Sequence, residues 1–436
     1  MPPLGPACRF VYFHVKEPAG SHPGQETRDG GKSIMVQVRS VLIVGDFASI
    51  TGGQAKVAID SARLLADAGL DVTFFAATGP VDAALDHPRI RTVCLDQDTI
   101  LDDPRRMRAV RRGLWNSEAA RALREEIARH DPKTTVLHCH GYAKALSPAI
   151  GPVLAGGPLR SLFTMHEYFL ACPNGGFFDY QRQEICTRKP LGLACVSCNC
   201  DVRHAAHKAW RVARGALARG PGRLPAGLKH VIYISQTQRR VMEPYLAPDV
   251  QLHYLSNPVD VSAPPVAASG NTDFVFVGRL NPEKGGLHFA KAAMAAGVQA
   301  VFVGDGPQRA AIESANPQAV VTGWVSPDEV QRHLSRARAL VFPSLWYEGQ
   351  PLVPMEALLR GIPVVCGTWS AAHEEVVHGR NGVLYDAPTV ERLTEALREV
   401  SGIATVSTGD LRQRLSGETH VARLLAIYDT ILSERV

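Results

Sequence analysis

The sequence predicts an α/β protein of two halves, each a doubly wound parallel sheet covered by helices. Three observations lead there. Short, wholly apolar runs alternate with segments whose apolar residues recur at helical spacing. That alternation stops at a Pro-, Ser- and Ala-rich stretch and then begins again. The chain has 436 residues, 45% hydrophobic and 20% charged, which is too long for one ordinary domain and ample for two cores.

Residues 1–34 are rich in Gly, Pro and charge without a period, and read as a disordered extension ahead of a first half at 35–254. Ser40 to Asp46 is an apolar run suited to a parallel strand buried on both faces. A Gly52-Gly53 turn follows, then Ala55, Ala58, Ile59, Ala62, Leu65 and Ala66 at helical spacing. Further strands are expected at Asp71 to Ala77, Arg91 to Leu95, Val136 to His140, Ser161 to His166 and Val231 to Ser235. Residues 255–270 have linker composition. The second half, 271–415, repeats the pattern with strands at Phe274 to Val277, Ala300 to Val303, Ala319 to Thr322, Ala339 to Phe342 and Pro363 to Cys366. In 416–436, Val421, Leu424, Leu425, Tyr428 and Leu432 share a helical face that can pack back on the first half.

A net charge of +5 is mild for this length. It suits anionic small ligands or a membrane surface and is too weak for a dedicated nucleic-acid binder. No apolar run reaches the roughly 18 residues of a membrane span, and the first residues lack a signal-peptide layout. The expectation is a cytoplasmic chain, with peripheral contact at the inner membrane face as an option.

Two blocks carry the chemistry. In EGQPLVPMEAL, Glu348 lies on a loop and Glu356 inside the following helix. Eight helical positions advance about 12 Å, so the pair cannot act on one bond, which needs carboxylates roughly 5–10 Å apart. They can reach two ends of one elongated ligand, and Gly349 lets the chain approach it closely. In FVFVGRLNPEKGG, Arg279 and Lys284 lie just past a strand end, where open α/β sheets bind ligands. A departing diphosphate needs such cations as its charge develops.

These blocks, with VFVGDGPQR and GIPVVCGTWSAAHEEVVHGRNGVLYD, resemble glycosyltransferase family 4, retaining enzymes of the GT-B fold, in which two Rossmann-like domains face each other across a cleft. The resemblance covers Val41 to about Tyr385. It implies that Glu348 holds donor-sugar hydroxyls, Glu356 binds the ribose, and Arg279 and Lys284 bind the diphosphate near the amides of Gln350 and Leu352. Pro351, where many members carry Gly, has no N–H to offer. Gly52 and Gly53 match the family's glycine loop, and TMHEYF matches its His motif, placing His166 on the transferred sugar. The resemblance further implies a nucleotide-sugar donor, retention of configuration, no protein nucleophile and no catalytic metal. A glycan or lipid-linked acceptor, as in cell-surface polysaccharide synthesis, is its family-level counterpart. His138 and His140 in VLHCHGY fall on one sheet face, with structural or acceptor-side roles.

The chain has nine cysteines, and five of them crowd into residues 172–200, a cysteine-rich insertion in the first half. Cys172, Cys186, Cys195 and Cys198 form a C-x13-C-x8-C-x2-C array with Cys200 to spare, a set suited to structural zinc. An iron–sulfur cluster and plain reduced thiols are the other readings. From Arg203 to Arg223 run six cations, Arg203, Lys208, Arg211, Arg214, Arg219 and Arg223. They suit either anionic lipid or the solvated face of a helix covering the sheet. A nucleotide-sugar epimerase of the same fold and a zinc-dependent binding module are the competing functions. The acidic and basic set of the second half fits sugar transfer better than either.

Overall fold

In the computed structural model, residues 38–259, 263–404 and 406–434 are described; the extension expected at 1–34 and part of the expected linker lie outside them. The first half is built on a seven-stranded, all-parallel sheet. Its strands are β1 (Ser40–Phe47), β2 (Asp71–Thr78), β3 (Ile90–Cys94), β4 (Thr135–Cys139), β5 (Arg160–Thr164), β6 (His230–Tyr233) and β7 (Gln251–Tyr254), in the order β3-β2-β1-β4-β5-β6-β7. Reversal of strand order on either side of β1 opens a crevice at the carboxyl edge, where such sheets bind ligands.

The second half has six parallel strands: β8 (Asp273–Val277), β9 (Gln299–Val303), β10 (Val320–Val321), β11 (Ala337–Phe342), β12 (Val364–Gly367) and β13 (Gly382–Tyr385), ordered β10-β9-β8-β11-β12-β13. The two parallel sheets are the doubled architecture that the alternating pattern predicts. The pattern does not reveal the edge strands β7 and β13: Gln251 and His253 interrupt the apolar run of β7, and β13 opens on a glycine.

Both faces of each sheet are covered. Along β1, Leu42 and Val44 join one core with Phe75, Leu137 and Phe163, while Val41 and Ile43 join the opposite core with Phe74, Val136 and Leu162. Side chains alternate with period two, so continuous apolar runs follow from burial on two faces. The second sheet divides likewise, with Phe274 and Phe276 on one side and Val275 on the other.

Helix α1 (Gly53–Asp67) buries Ala55, Ala58, Ile59, Ala62 and Leu65 against the first sheet. Among the other helices are α2 (Arg106–Leu114), α3 (Ala205–Arg219), α4 (Leu352–Leu359) and α5 (Gly417–Ser433). Helix α5, last in the chain, inserts Leu424, Tyr428 and Ile431 into the first half's core. The Tyr428 hydroxyl lies 2.7 Å from His138 Nδ1, and Val38 N donates to Asp429 Oδ1 at 3.0 Å.

The first half therefore depends on the last seventeen-residue helix of the chain. Truncating Leu424 to Ala is expected to lower the unfolding free energy by about 2–5 kcal/mol, the range for a fully buried leucine. Urea denaturation checks this; a loss under 1 kcal/mol would mean that α5 is not part of that core.

Candidate functional site

The carboxyl edges of the two sheets line one cleft of about 600 Å³. From the first half it receives Asp46 near the end of β1, Gly52 and Gly53 at the start of α1, His140 and Lys144 after β4, and His166 after β5. From the second half come Arg279 and Lys284 after β8, Trp324 after β10, and residues 346–353 with Glu356 after β11. Every donor-side residue anticipated from sequence thus borders a single cavity.

The second half is organised around one carboxylate oxygen. Glu348 Oε1 accepts from Lys284 Nζ at 2.8 Å, Ser344 Oγ at 2.6 Å and Trp346 Nε1 at 2.7 Å. Burial works to raise the Glu348 carboxyl, but the Lys284 charge and these hydrogen bonds outweigh it and hold the group below the usual carboxylate range. Lys284 Nζ also lies 5.2 Å from the Trp346 ring centre, a cation–π contact. The approach is tight: Gly285 has φ 71°, and a Cβ there would fall 2.0 Å from the Pro343 carbonyl. Arg279 is exposed at the rim and pairs with no carboxylate among the described residues. Its charge is free for an anion, whereas that of Lys284 is already shared with Glu348.

Gly349 is where the halves meet. A Cβ on it would come 3.1 Å from Ile234, 3.2 Å from Gln238 and 3.3 Å from the His166 carbonyl. Gln350 Oε1 accepts from Asn257 N at 2.6 Å, so this side chain ties the second half to the connecting segment. Pro351 is the N-cap of α4 with no side-chain cap, and Leu352 and Val353 line the cleft in the first turn, where N–H groups lack helical partners. Glu356 lies one turn further along the same helix.

On the first half, His140 Nδ1 lies 3.0 Å from His166 Nε2, with the rings stacked at 5.2 Å. Gln54, in the first turn of α1, donates to the His140 carbonyl at 2.7 Å. Burial, with the nearby charge of Lys144, pushes His166 down to about 3. Burial pushes His138 to about 3 and His420 to about 4. These rings are neutral donors and acceptors at neutral pH. His140 Nε2 is buried without a hydrogen-bond partner, in a ring that faces the cleft. Asp46 accepts from the backbone N–H groups of Lys144, Ala145 and Leu146 at 3.2, 2.8 and 2.9 Å, fixing the loop after β4. A Cβ at Gly52 or Gly53 would meet open space.

Cys172, Cys195 and Cys200 lie near one buried lysine, Lys208, and Cys186 and Cys198 lie near Cys200. Among the described residues no group of three or more His, Cys, Asp or Glu is placed to hold a metal ion. Cys186 Sγ lies 3.4 Å from Arg188, Cys198 Sγ lies 3.5 Å from Asp179, and Cys195 and Cys200 flank the Lys208 ammonium at 3.6 and 3.1 Å. Cys172 sits in a turn where burial raises its thiol and surrounding backbone N–H groups oppose that. Where the zinc reading of Cys172, Cys186, Cys195 and Cys198 expects thiolates alone, Arg188, Asp179 and Lys208 also stand beside the sulfurs. Helix α3 departs from expectation too: Lys208 and Arg214 are buried, and Arg211 pairs with Asp201 at 2.7 Å, so half of the six cations turn inward.

Sequence reasoning missed Ser344 and Trp346, which grip Glu348, and Trp324 and Asp46. The placement of Trp346, two residues before Glu348 in a Gly- and Pro-bearing loop, was the available signal. The insertion also reaches the site: a Cβ at Gly176 would strike the Trp346 ring at 2.6 Å.

The family model described as "Glycosyltransferase Family 4" matches residues 51–263, and that described as "Glycosyl transferases group 1" matches residues 271–401. The chain is 39% identical over 94 residues to the putative teichuronic acid biosynthesis glycosyltransferase TuaC of Bacillus subtilis, covering 21% of this chain and 23% of the relative. It is 27% identical over 218 residues to the GDP-mannose-dependent alpha-(1-6)-phosphatidylinositol monomannoside mannosyltransferase of Mycobacterium tuberculosis, covering 43% and 56%. The matches thus span about half or less of these relatives. The crystal structure of Anabaena HepE in complex with UDP and glucose superposes with a TM-score of 0.60 at 16% identity, over 90% of this chain and 100% of that one. At that identity the likeness is one of fold.

The buried histidines make a solution prediction. Their folded values lie below the unfolded value near 6.5, so stability is complete above that pH. It falls on acidification, because only the unfolded chain takes up the protons. At pH 5, His138 and His420 are each expected to remove about 2 kcal/mol. Unfolding at a series of pH values checks this; constant stability between pH 7 and 5 would show that the rings are open to water.

Proposed function

The chain belongs to glycosyltransferase family 4, and from this we propose that it is a retaining transferase moving a hexose from a UDP- or GDP-sugar to a glycan or lipid-linked acceptor. The observation that carries the reading is the triple grip on Glu348 at the bottom of a cleft between two carboxyl edges. Held by three donors on one oxygen, this carboxylate keeps its other oxygen for sugar hydroxyls. The diphosphate lies toward Arg279 and the first turn of α4, where unpaired N–H groups favour an anion. Glu356, farther along the helix, is in place for the ribose. Trp324, 70% exposed at the rim, offers a flat face to the base.

The chemistry follows from which groups are available. Asp46 is enclosed with its oxygens on three backbone N–H groups, and Glu167 is paired with Lys144 at 2.9 Å. Neither is placed to attack the anomeric carbon or to take a proton from the acceptor. Negative charge grows on the diphosphate as the glycosidic bond to it lengthens, and Arg279 and Lys284 stabilise that charge. The departing phosphate oxygen then accepts the acceptor's proton on the same face of the sugar, which retains configuration. Neutral His166, steadied by His140, hydrogen-bonds the transferred sugar. No step calls on a metal. A role in cell-surface polysaccharide synthesis is supported by the teichuronic acid relative.

Donor-dependent release of nucleoside diphosphate tests the reading. Glu348→Gln and Lys284→Ala are each expected to slow it at least about 100-fold, equivalent to roughly 3 kcal/mol of transition-state stabilisation. Wild-type rates in either variant would overturn the assignment. Trp324→Ala is expected to weaken UDP or GDP binding about tenfold, as loss of a stacked base does, and to leave inorganic pyrophosphate binding unchanged. Equal losses for both ligands would place the base elsewhere.

A further inference from the structure

Lys208, in the first turn of α3, is a buried lysine held by thiols. It is 4% exposed, and its hydrogen-bond partners among the described residues are two sulfurs, Cys200 Sγ at 3.1 Å and Cys195 Sγ at 3.6 Å. A lysine is almost never buried this far without a charged partner. The neighbouring carboxylates are taken, Asp201 by Arg211 at 2.7 Å and Asp179 by Arg188 at 3.0 Å. Lys208 does not border the cleft, so the transfer site makes no use of this amine.

Cys200 is the sulfur presented to it. Asn174 Nδ2 donates to the Cys200 sulfur at 3.2 Å and to the Cys200 carbonyl at 2.9 Å. Both residues are buried, so the sulfur is fixed with an amide on one side and the lysine nitrogen on another. The gap of 3.1 Å between sulfur and nitrogen lies within the roughly 3–3.5 Å from which held atoms react. An oxygen atom bonded to both draws them only slightly closer, a shift that the flexible end of a lysine permits. Cys195 stands farther from the same nitrogen and is the weaker candidate for such a bond.

We propose that Cys200 and Lys208 are a modification site, joined in the presence of dioxygen by a single bridging oxygen atom into a sulfur–oxygen–nitrogen crosslink. Dioxygen is the oxidant, a co-reactant small enough to reach a buried pair. From thiolate and ammonium, two N–H bonds and the O=O bond break, while an S–O bond, an O–N bond and the two O–H bonds of one water form. Sulfur and nitrogen each give up two electrons, and dioxygen takes all four. The product is uncharged, so the crosslink removes a buried charge as it ties the start of α3 to the cysteine-rich insertion. Through Asn174 the bridged sulfur is joined to Gly175 and Gly176, which border the cleft and the Trp346 ring. The modification is chemically independent of sugar transfer, and its test requires no turnover.

The test compares the full chain purified with reductant under nitrogen and the same chain held in aerated buffer, each denatured, alkylated and mapped by peptide mass. In air most chains are expected to gain one oxygen and lose two hydrogens, in a peptide pair joining Cys200 to Lys208, with one alkylatable thiol fewer. Dithiothreitol is expected to reverse both changes, its thiols returning the four electrons and releasing the bridge as water. Lys208→Arg keeps the charge and is expected to leave Cys200 alkylatable in air. Cys195→Ser is expected to crosslink as wild type does, and this variant and the wild-type masses keep the test decisive if Lys208→Arg does not fold. An aerated wild type of unchanged mass would overturn the proposal. So would a Cys195–Cys200 disulfide with Lys208 free, a Cys195→Ser chain that stays uncrosslinked, or stoichiometric zinc or iron bound to the purified chain.

Discussion

The ion pair between Lys284 and Glu348 is the contact on which the rest of the site depends. One carboxylate oxygen collects an ammonium, a hydroxyl and an indole N–H, all within 2.8 Å. Coordination of that kind satisfies a carboxylate that burial would otherwise push toward its neutral form. It also joins two loops from different strands, one after β8 and one after β11. The second of these carries Gly349 to the His166 backbone, so the contact that sets the donor side also sets the distance between the two halves.

The first half answers with a different material. Around its carboxyl edge are histidines kept neutral by burial, and the chain of rings runs from His166 through His140 and His138 to Tyr428 of the last helix. His138 and Tyr428 secure α5 from inside the core, whereas His140 and His166 open on the cleft. Neutral rings can position a sugar without adding charge near the bond that breaks. The second half brings Arg279 and Lys284 to the cleft, the cations that the proposed diphosphate site uses. The division of labour follows from where each sheet places its loops.

Much of this was legible in the sequence, for identifiable reasons. Strands such as Ser40–Phe47 are buried on both faces, so their apolar runs are unbroken and easy to read. Arg279, Lys284 and Glu348 lie past strand ends in loops and Glu356 in the helix that follows, and the structure brings all four to one cavity. Contacts set by long-range folding were not legible. Nothing in the spacing of Cys195 and Cys200 announces that Lys208 lies between them, since the lysine arrives from the next helix. The C-x2-C spacing likewise does not show that Cys195 meets Lys208 while Cys198 meets Asp179. The basic stretch at α3 misled for a related reason, because composition does not show which cations find carboxylates or carbonyls inside.

The central claim is that a nucleoside diphosphate lies in this cleft, against Arg279 and the first turn of α4, with Glu348 beside its sugar. A crystal structure of the chain soaked with UDP or GDP tests it most directly. Phosphate oxygens are expected within hydrogen-bonding distance of the Arg279 guanidinium, the Lys284 ammonium and the amides of Leu352 or Val353. A nucleotide bound outside the cleft, or a cleft still empty at millimolar nucleotide, would contradict it.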